Sequence, residues 1–196
     1  MNPSANIAIL DSEETIGGVW ARRRLYPGLK TNNMLGTYEF SDFPMDTATY
    51  GVKPGEHIKG EIVHRYLTDY AHEFGIYSKI RFETNVLTAQ QVDDGSGWLL
   101  TAEKKSSDKK APKADEILAK KLIVATGVTS EAFLPRFAGS DSFGMPLFHS
   151  KDTKIYESAL ESAKTVAVFG GTKSAWDAAY VYARKGVKVE MIIRGT

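Results

Sequence analysis

The apolar and polar positions of the first 75 residues predict one buried strand and one amphipathic helix. Residues 7–10 form a continuous apolar run after a turn at residues 3–6, which is typical of a buried parallel strand. Residues 56–75 carry apolar side chains at steps of three and four and end at Gly75, as an amphipathic helix does. The stretch between them is rich in glycine, proline, asparagine and aromatic residues, and loops of that length usually serve a site.

The middle of the chain predicts three more strands. Residues 80–92 and 98–105 are rich in β-forming residues, and the glycines between them predict a hairpin. The lysine-rich residues 104–116 predict a solvated loop, and the apolar run at residues 119–127 predicts a third buried strand that ends at Gly127. A short helix or turn is expected at residues 154–164.

The last 30 residues have the clearest pattern. An apolar strand at residues 165–170, a tight turn, a helix at residues 175–186 and a second strand at residues 187–194 predict a βαβ unit. Its two strands are expected to be parallel, with a right-handed crossover.

Composition excludes several classes of protein. The chain has no cysteine, which excludes disulfides and thiolate metal sites and favours a cytoplasmic location. Lysines and arginines number 25 against 24 acids, a net charge of +1, so no nucleic-acid-binding face is predicted. No apolar run approaches the ~20 residues of a membrane span. His57, His64 and His72 suggest a metal site, but solvated helix residues are the favoured interpretation and no metal is expected.

The turn of the βαβ unit carries candidate chemistry. Its first and sixth residues, Gly170 and Ala175, fit the dinucleotide pattern G-x-G-x-x-G/A, whereas the third is Thr172. A helix N-terminus supplies N–H groups to an anion, so cofactor contacts are predicted from a set of turn residues: Gly170, Gly171, Lys173 and Ser174. Arg194 closes the second strand, where a cation favours the 2′-phosphate of NADP. The alternative is a βαβ unit without a ligand.

A second candidate site follows the first strand. Asp11 ends that strand, and an acid there can accept hydrogen bonds from a ribose. Gly17 and Gly18 let the main chain approach a flat cofactor, and Trp20 can cover an aromatic face. The alternative is an ordinary turn.

The order of these motifs along nearly the whole chain resembles the flavin-containing monooxygenases and the related Baeyer–Villiger monooxygenases. The resemblance implies that Asp11 binds ribose and that Gly17, Gly18 and Trp20 contact the flavin. It implies that Asn32, in the Lys30-Thr31-Asn32 segment, lies near the flavin as the catalytic amide. Further cofactor contacts are implied at four positions: Thr31, Ala125, Thr126 and Gly127.

The resemblance also implies the fold and its division. We expect an α/β fold: a Rossmann-like FAD-binding half at residues 1–150 with a small antiparallel β excursion, then the first βαβ of an NADPH domain at residues 151–196. The family's first strand and G-x-G-x-x-G turn have no counterpart before Asp11, so a chain truncated at both ends is expected. A homo-oligomer or a partner chain is expected to cover the missing strands.

The function implied is an FAD- and NADPH-dependent monooxygenase. Such an enzyme forms a C4a-(hydro)peroxyflavin with O2 and oxygenates a small organic substrate, for example a secondary metabolite. The alternative is a non-catalytic truncated homologue that acts as a partner or scaffold domain.

Overall fold

A computed structural model describes residues 5–93, 95–105, 114–128 and 131–195. Its strands form both parallel and antiparallel pairs beside helices, which confirms the α/β class. The chain forms two compact units, each built from two stretches: the first from Met1–Arg22 and His64–Ser130, the second from Arg23–Val63 and Glu131–Thr196. The division at residue 150 by cofactor stays a prediction, because compactness does not define which cofactor a unit binds.

In the first unit, the opening strand is parallel as predicted but is not buried. β1 (Ile9–Leu10) pairs with β4 (Ile80–Arg81) in a sheet of two strands. Ile9 is 37% exposed and Ile7 48% exposed. The predicted burial was wrong because a sheet of two strands leaves apolar side chains without a covering layer.

The antiparallel excursion has three strands. β5 (Thr84–Gln91) and β6 (Trp98–Lys104) form the predicted hairpin, and β7 (Ala114–Ala119) pairs with β6 on its other side. Gly97 permits this pairing, because a Cβ there would lie 2.6 Å from the carbonyl oxygen of Ala119. Part of the lysine-rich segment predicted as a loop is therefore strand, and residues 106–113 of it lie outside the described residues.

The third strand was predicted in the wrong place. Residues 121–127 belong to no strand of the described chain, and Ile123 and Val124 are 87% and 74% exposed. The apolar run indicated burial, but burial needs partner strands on both sides. β7 was missed because its charged residues interrupt the apolar pattern.

The predicted amphipathic helix is α2 (Gly60–Glu73). It begins four residues later than expected because His57–Lys59 forms β3, which pairs antiparallel with β2 (Lys30–Met34). The end is where the sequence placed it: Gly75 has φ +63°, and the N–H of Ile76 donates to the carbonyl of Ala71. This is the geometry of a glycine that terminates a helix. α2 continues from the second unit into the first.

The βαβ unit is confirmed in the second unit. β8 (Thr165–Phe169) and β9 (Lys188–Ile192) are parallel, and α4 (Lys173–Arg184) connects them. Their core contains Leu160, Tyr182 and Val187. Leu160 belongs to α3 (Glu157–Ser162), the short helix expected there. A further helical turn, α1, spans Thr47–Tyr50.

Large apolar side chains are exposed in both units. In the first unit Val128 is fully exposed, and in the second Phe133 and Met145 are 81% and 69% exposed. Contact with a second copy or a partner chain stays a prediction. No helix of the described segments is long and apolar enough to cross a membrane.

The phenol of Tyr182 generates a prediction about stability and pH. Its oxygen is buried and has no hydrogen-bond partner among the described residues, and burial together with the carboxylates of Glu157 and Glu161 raises the pKa of Tyr182 to about 12. A raised folded-state pKa contributes stability that is present below the unfolded value of about 10 and lost as pH rises toward 12. We expect Tyr182→Phe to remove this loss and to increase stability at pH 7 by about 1 kcal/mol.

Urea unfolding at pH 7 and between pH 9 and 12 tests this expectation. Tyr180→Phe is the matched control, because Tyr180 lies on the same helix and is 64% exposed. Identical pH dependence in wild type and Tyr182→Phe would contradict the assignment.

Candidate functional site

Asp11 directly follows β1, and one of its carboxylate oxygens already accepts a hydrogen bond within the chain. Its Oδ1 accepts the N–H of Glu13 at 2.9 Å, and its main chain bonds to Arg81 and Thr84. The side chain is half-buried. Within the described chain Oδ2 accepts no hydrogen bond, so it is available to a hydroxyl donor. A ribose hydroxyl is such a donor.

The Gly17–Gly18 turn has the backbone that the motif requires. Gly17 and Gly18 have φ +117° and +57°, and a Cβ on Gly17 would lie 3.1 Å from the carbonyl carbon of Trp20. A short 3-10 helix, Gly18–Trp20, follows. His64 Nδ1 lies 3.1 Å from the carbonyl oxygen of Ile16 and ties the turn to α2. Asp11, this turn and residues 125–127 all belong to the first unit.

In the second unit, Asn32 lies in a bulge of β2. Lys30 pairs with Lys59 and Met34 with His57, so three residues of β2 oppose one residue of β3. Bulges of this kind redirect side chains and are frequent beside functional sites. The Asn32 side chain is exposed and makes no hydrogen bond within the described residues, so its amide is free to meet a ligand.

Thr31 holds the bulge. It is 4% exposed, its hydroxyl accepts the N–H of Ile58 at 3.0 Å, and the same hydroxyl donates to the carbonyl of Asn33. The carbonyl of Thr31 accepts from His57 Nδ1 at 2.9 Å. Both hydrogen-bonding functions of the Thr31 hydroxyl are used inside the strand pair, so the side chain shapes the strand that presents Asn32.

The three histidines each have a structural partner. His57 and His64 bond to main-chain carbonyls, and His72 stacks on Tyr77 with ring centroids 4.1 Å apart. The sequence predicted His57 to lie on the helix, but it lies in β3. In the described part of the chain no three metal-ligating side chains come together.

The turn before α4 is built for close contact. Gly170 has φ +133°, and a Cβ on Gly171 would lie 2.9 Å from Ile193 Cγ2. The N–H of Gly170 donates to the carbonyl of Ile192 at 3.0 Å. The turn therefore packs against the end of β9, two residues before Arg194.

The first turn of α4 has the electrostatics of an anion site. Thr172 provides no side-chain cap and no acidic residue lies in this turn, so its N–H groups and the positive end of the helix dipole are uncompensated there. Arg194 is exposed and has no ion-pair partner in the described chain. These features fit the phosphates of a dinucleotide.

Lys173 and Ser174 are not free at this turn, which the sequence did not predict. Lys173 Nζ donates to Asp177 Oδ2, and the same oxygen accepts the hydroxyl of Tyr26 at 2.9 Å. Ser174 also interacts with the Tyr26 phenol. The i, i+4 spacing of Lys173 and Asp177 was visible in the sequence, whereas the partner from residue 26 was not.

Each unit has one further feature. In the first unit, Ala125, Thr126 and Gly127 are exposed and lie in a segment that belongs to no described strand. In the second unit, an open cavity of about 300 Å³ is lined by residues that precede Asn32 and by residues at the end of β3 and the start of α2: Gly28, Leu29, Lys30, Lys59 and Glu61.

Comparison with solved structures gives the class of fold. The chain matches a triple mutant of cyclohexanone monooxygenase from Rhodococcus sp. Phi1 bound to NADP+ with TM-score 0.76, 24% identity, 95% of this chain and 33% of that chain covered. It matches Tmm from Pelagibacter sp. strain HTCC7211 with TM-score 0.77, 23% identity, 98% of this chain and 46% of that chain covered. The chain shares the fold of the matched parts of these two structures, which confirms the expected α/β architecture.

Sequence comparison gives the family. The model of the pyridine nucleotide-disulphide oxidoreductases matches residues 30–196, so the chain belongs to that family. A curated relative, the FAD-dependent monooxygenase resA of Aspergillus sclerotiorum, is 37% identical over 98% of this chain and 33% of its own length. The chain spans about a third of the length of the curated relatives it matches first. The motif-based resemblance to flavin monooxygenases is confirmed.

The hydrogen bonds of the Thr31 hydroxyl lead to a prediction about the free energy of unfolding. Thr31→Val keeps the side-chain shape but leaves a buried N–H at Ile58 without its acceptor, which costs about 1–3 kcal/mol of unfolding free energy. Thr31→Ser keeps the oxygen and should lose less than half of that. Urea unfolding measures both variants, and a Thr31→Val loss no larger than that of Thr31→Ser would contradict the role of the hydroxyl.

Proposed function

We propose that the chain carries the cofactor-binding parts of an FAD- and NADPH-dependent monooxygenase that transfers one oxygen atom of O2 to a small organic substrate. Relatives named FAD-dependent monooxygenases and a similar structure bound to NADP+ support this proposal. We propose a small organic molecule, for example a secondary metabolite, as the substrate. The disulphide in the family description cannot be this chain's chemistry, because the chain has no cysteine. A reducing compartment such as the cytoplasm suits such a chain.

The observation that carries the proposal is the turn before α4. An uncapped helix N-terminus without acids, a glycine turn packed on the end of β9 and a free Arg194 supply groups for a dinucleotide. Gly170 and Gly171 let its phosphates approach the backbone. Arg194 is proposed to pair with the 2′-phosphate.

FAD is proposed to contact the first unit. Asp11 would accept from its ribose, and the Gly17–Trp20 turn and residues 125–127 would line it. When bound and reduced by NADPH, FAD supplies the activation of O2. Asn32 offers an amide N–H that stabilises negative charge on oxygen and that displaces bulk water.

Calorimetric titration with NADP+ and NAD+ tests the dinucleotide site. We expect NADP+ to bind more tightly, and Arg194→Ala to reduce that preference roughly tenfold, because a charge-assisted hydrogen bond contributes about 1.5–3 kcal/mol. Arg184→Ala is the matched control, since Arg184 ends α4 and contacts Tyr180. Equal affinity of the wild-type chain for both dinucleotides would contradict the proposal.

Reconstitution with FAD tests the enzyme itself. We expect flavin absorbance to persist after gel filtration, and NADPH to be oxidised with uptake of O2. Asn32→Ala should raise the fraction of that NADPH recovered as hydrogen peroxide, because water and charge at the flavin are no longer controlled. Asn33→Ala, at the neighbouring position, should leave it unchanged. A colourless chain that neither binds FAD nor oxidises NADPH would indicate a non-catalytic homologue.

A further inference from the structure

One carboxylate oxygen in the second unit accepts two donors from different parts of the chain. Asp177 lies one turn inside α4, where Oδ2 accepts the ammonium of Lys173 and the hydroxyl of Tyr26, the latter at 2.9 Å. The Asp177 and Lys173 side chains are 22% and 34% exposed. The Tyr26 bond spans 151 positions of sequence. Partial burial makes such charge-assisted bonds stronger than surface pairs.

Lys173 is poorly placed for helix stability alone. It is the first residue of α4, where a cation meets the positive end of the helix dipole, which is unfavourable. The order of Lys173 before Asp177 is also the weaker orientation of an i, i+4 pair. A lysine in this place is explained by an anionic ligand, with Asp177 as its partner when that ligand is absent.

Tyr26 is fixed to the same face of α4 by more than one contact. The N–H of Leu29 donates to the carbonyl of Tyr26 at 3.1 Å, and Pro27 with Gly28 at φ +80° gives this turn the type II pattern. A Cβ on Gly28 would lie 2.4 Å from Val181 Cγ2, one helical turn beyond Asp177. Burial and the Asp177 carboxylate raise the pKa of Tyr26 far above its ordinary value, so its hydroxyl remains a donor.

We propose that Asp177 is a positioning residue with two roles: it pairs with Lys173 when no ligand is bound and competes with the dinucleotide phosphate for its ammonium, and through Tyr26 it fastens the turn that leads into the strand that carries Asn32. The inference rests on the proposed function, because it takes Lys173 as a ligand of a dinucleotide phosphate. β2 begins at Lys30, one residue after the Tyr26–Leu29 turn ends. The carboxylate therefore connects the proposed NADP site with the bulge that presents Asn32.

The proposal has two consequences for the removal of the Asp177 charge: NADP+ should bind more tightly, and β2 should become less ordered. The carboxylate competes with phosphate for the Lys173 ammonium, so removing its charge should tighten NADP+ binding. The same removal weakens the acceptor of Tyr26, so the main chain of β2 should open more often. Purely structural damage would weaken binding instead.

Four variants of the 196-residue chain test the inference: Lys173→Met, Asp177→Asn, Tyr26→Phe and the control Tyr180→Phe. Calorimetry at low salt measures the NADP+ dissociation constant. We expect Lys173→Met to raise it about tenfold and Asp177→Asn to lower it about 3- to 10-fold. Hydrogen exchange of residues 30–34 should be faster by about threefold or more in Asp177→Asn and Tyr26→Phe. Tyr180→Phe removes a phenol from the exposed side of the same helix and should change neither.

The outcomes separate this inference from the proposed function. Unchanged NADP+ binding in Lys173→Met would remove the dinucleotide turn from the proposed function. Weaker binding in Lys173→Met without tighter binding in Asp177→Asn would overturn only the role of Asp177 at Lys173. Unchanged exchange of residues 30–34 in Tyr26→Phe, which keeps every charge in place, would overturn the connection to β2.

Discussion

The hydrogen bond from Tyr26 to Asp177 joins the two stretches that build the second unit. Residues 23–63 carry Asn32, and residues 131–196 carry the dinucleotide turn. Within that unit, the phenol and the Gly28–Val181 contact place the start of β2 against α4. Asp177 therefore takes part in the contacts that place these two candidate ligand-binding elements against each other within the second unit.

Polar side chains in this protein divide into those that build the site and those left for ligands. Thr31, His57 and His64 satisfy buried main-chain groups, which otherwise carry a large desolvation cost. Asn32 and Arg194 make no such bonds within the described residues. Thr31 lies one residue before Asn32, and His57 lies in β3, the strand paired with the one that carries Asn32. This is how a scaffold holds a ligand-facing group in a fixed direction.

Local patterns in the sequence predicted the elements whose partners are near in the chain. The βαβ unit, the β5–β6 hairpin and the end of α2 at Gly75 each follow from periodicity and turn residues. β2 was missed because its bulge and polar residues hide the alternation of a strand. The apolar run at residues 121–127 was misplaced because its pattern indicates burial without naming a partner strand.

The candidate site residues were also predictable only where the signal is local in the sequence or belongs to a family motif. Local glycine and acid patterns made Asp11 and the turn before α4 candidates, whereas Asn32 was a candidate because of the resemblance to the flavin monooxygenases. The roles of Tyr26 and Asp177 were not predictable, because a contact between residues 151 positions apart leaves no periodic pattern in the sequence. The internal use of the Thr31 hydroxyl was equally hidden, because it depends on the register between β2 and β3.

The interleaved order of the two units has a consequence for synthesis on the ribosome. Tyr26 emerges long before Asp177, and at about 5–20 residues per second the delay is on the order of ten seconds. During that interval the nascent β2–β3 pair lacks the contact between Tyr26 and Asp177 of α4. The lysine and asparagines of β2 make it a poor template for aggregation. The same polar residues that concealed this strand in the sequence therefore suit it to remain exposed to solvent until α4 is synthesised.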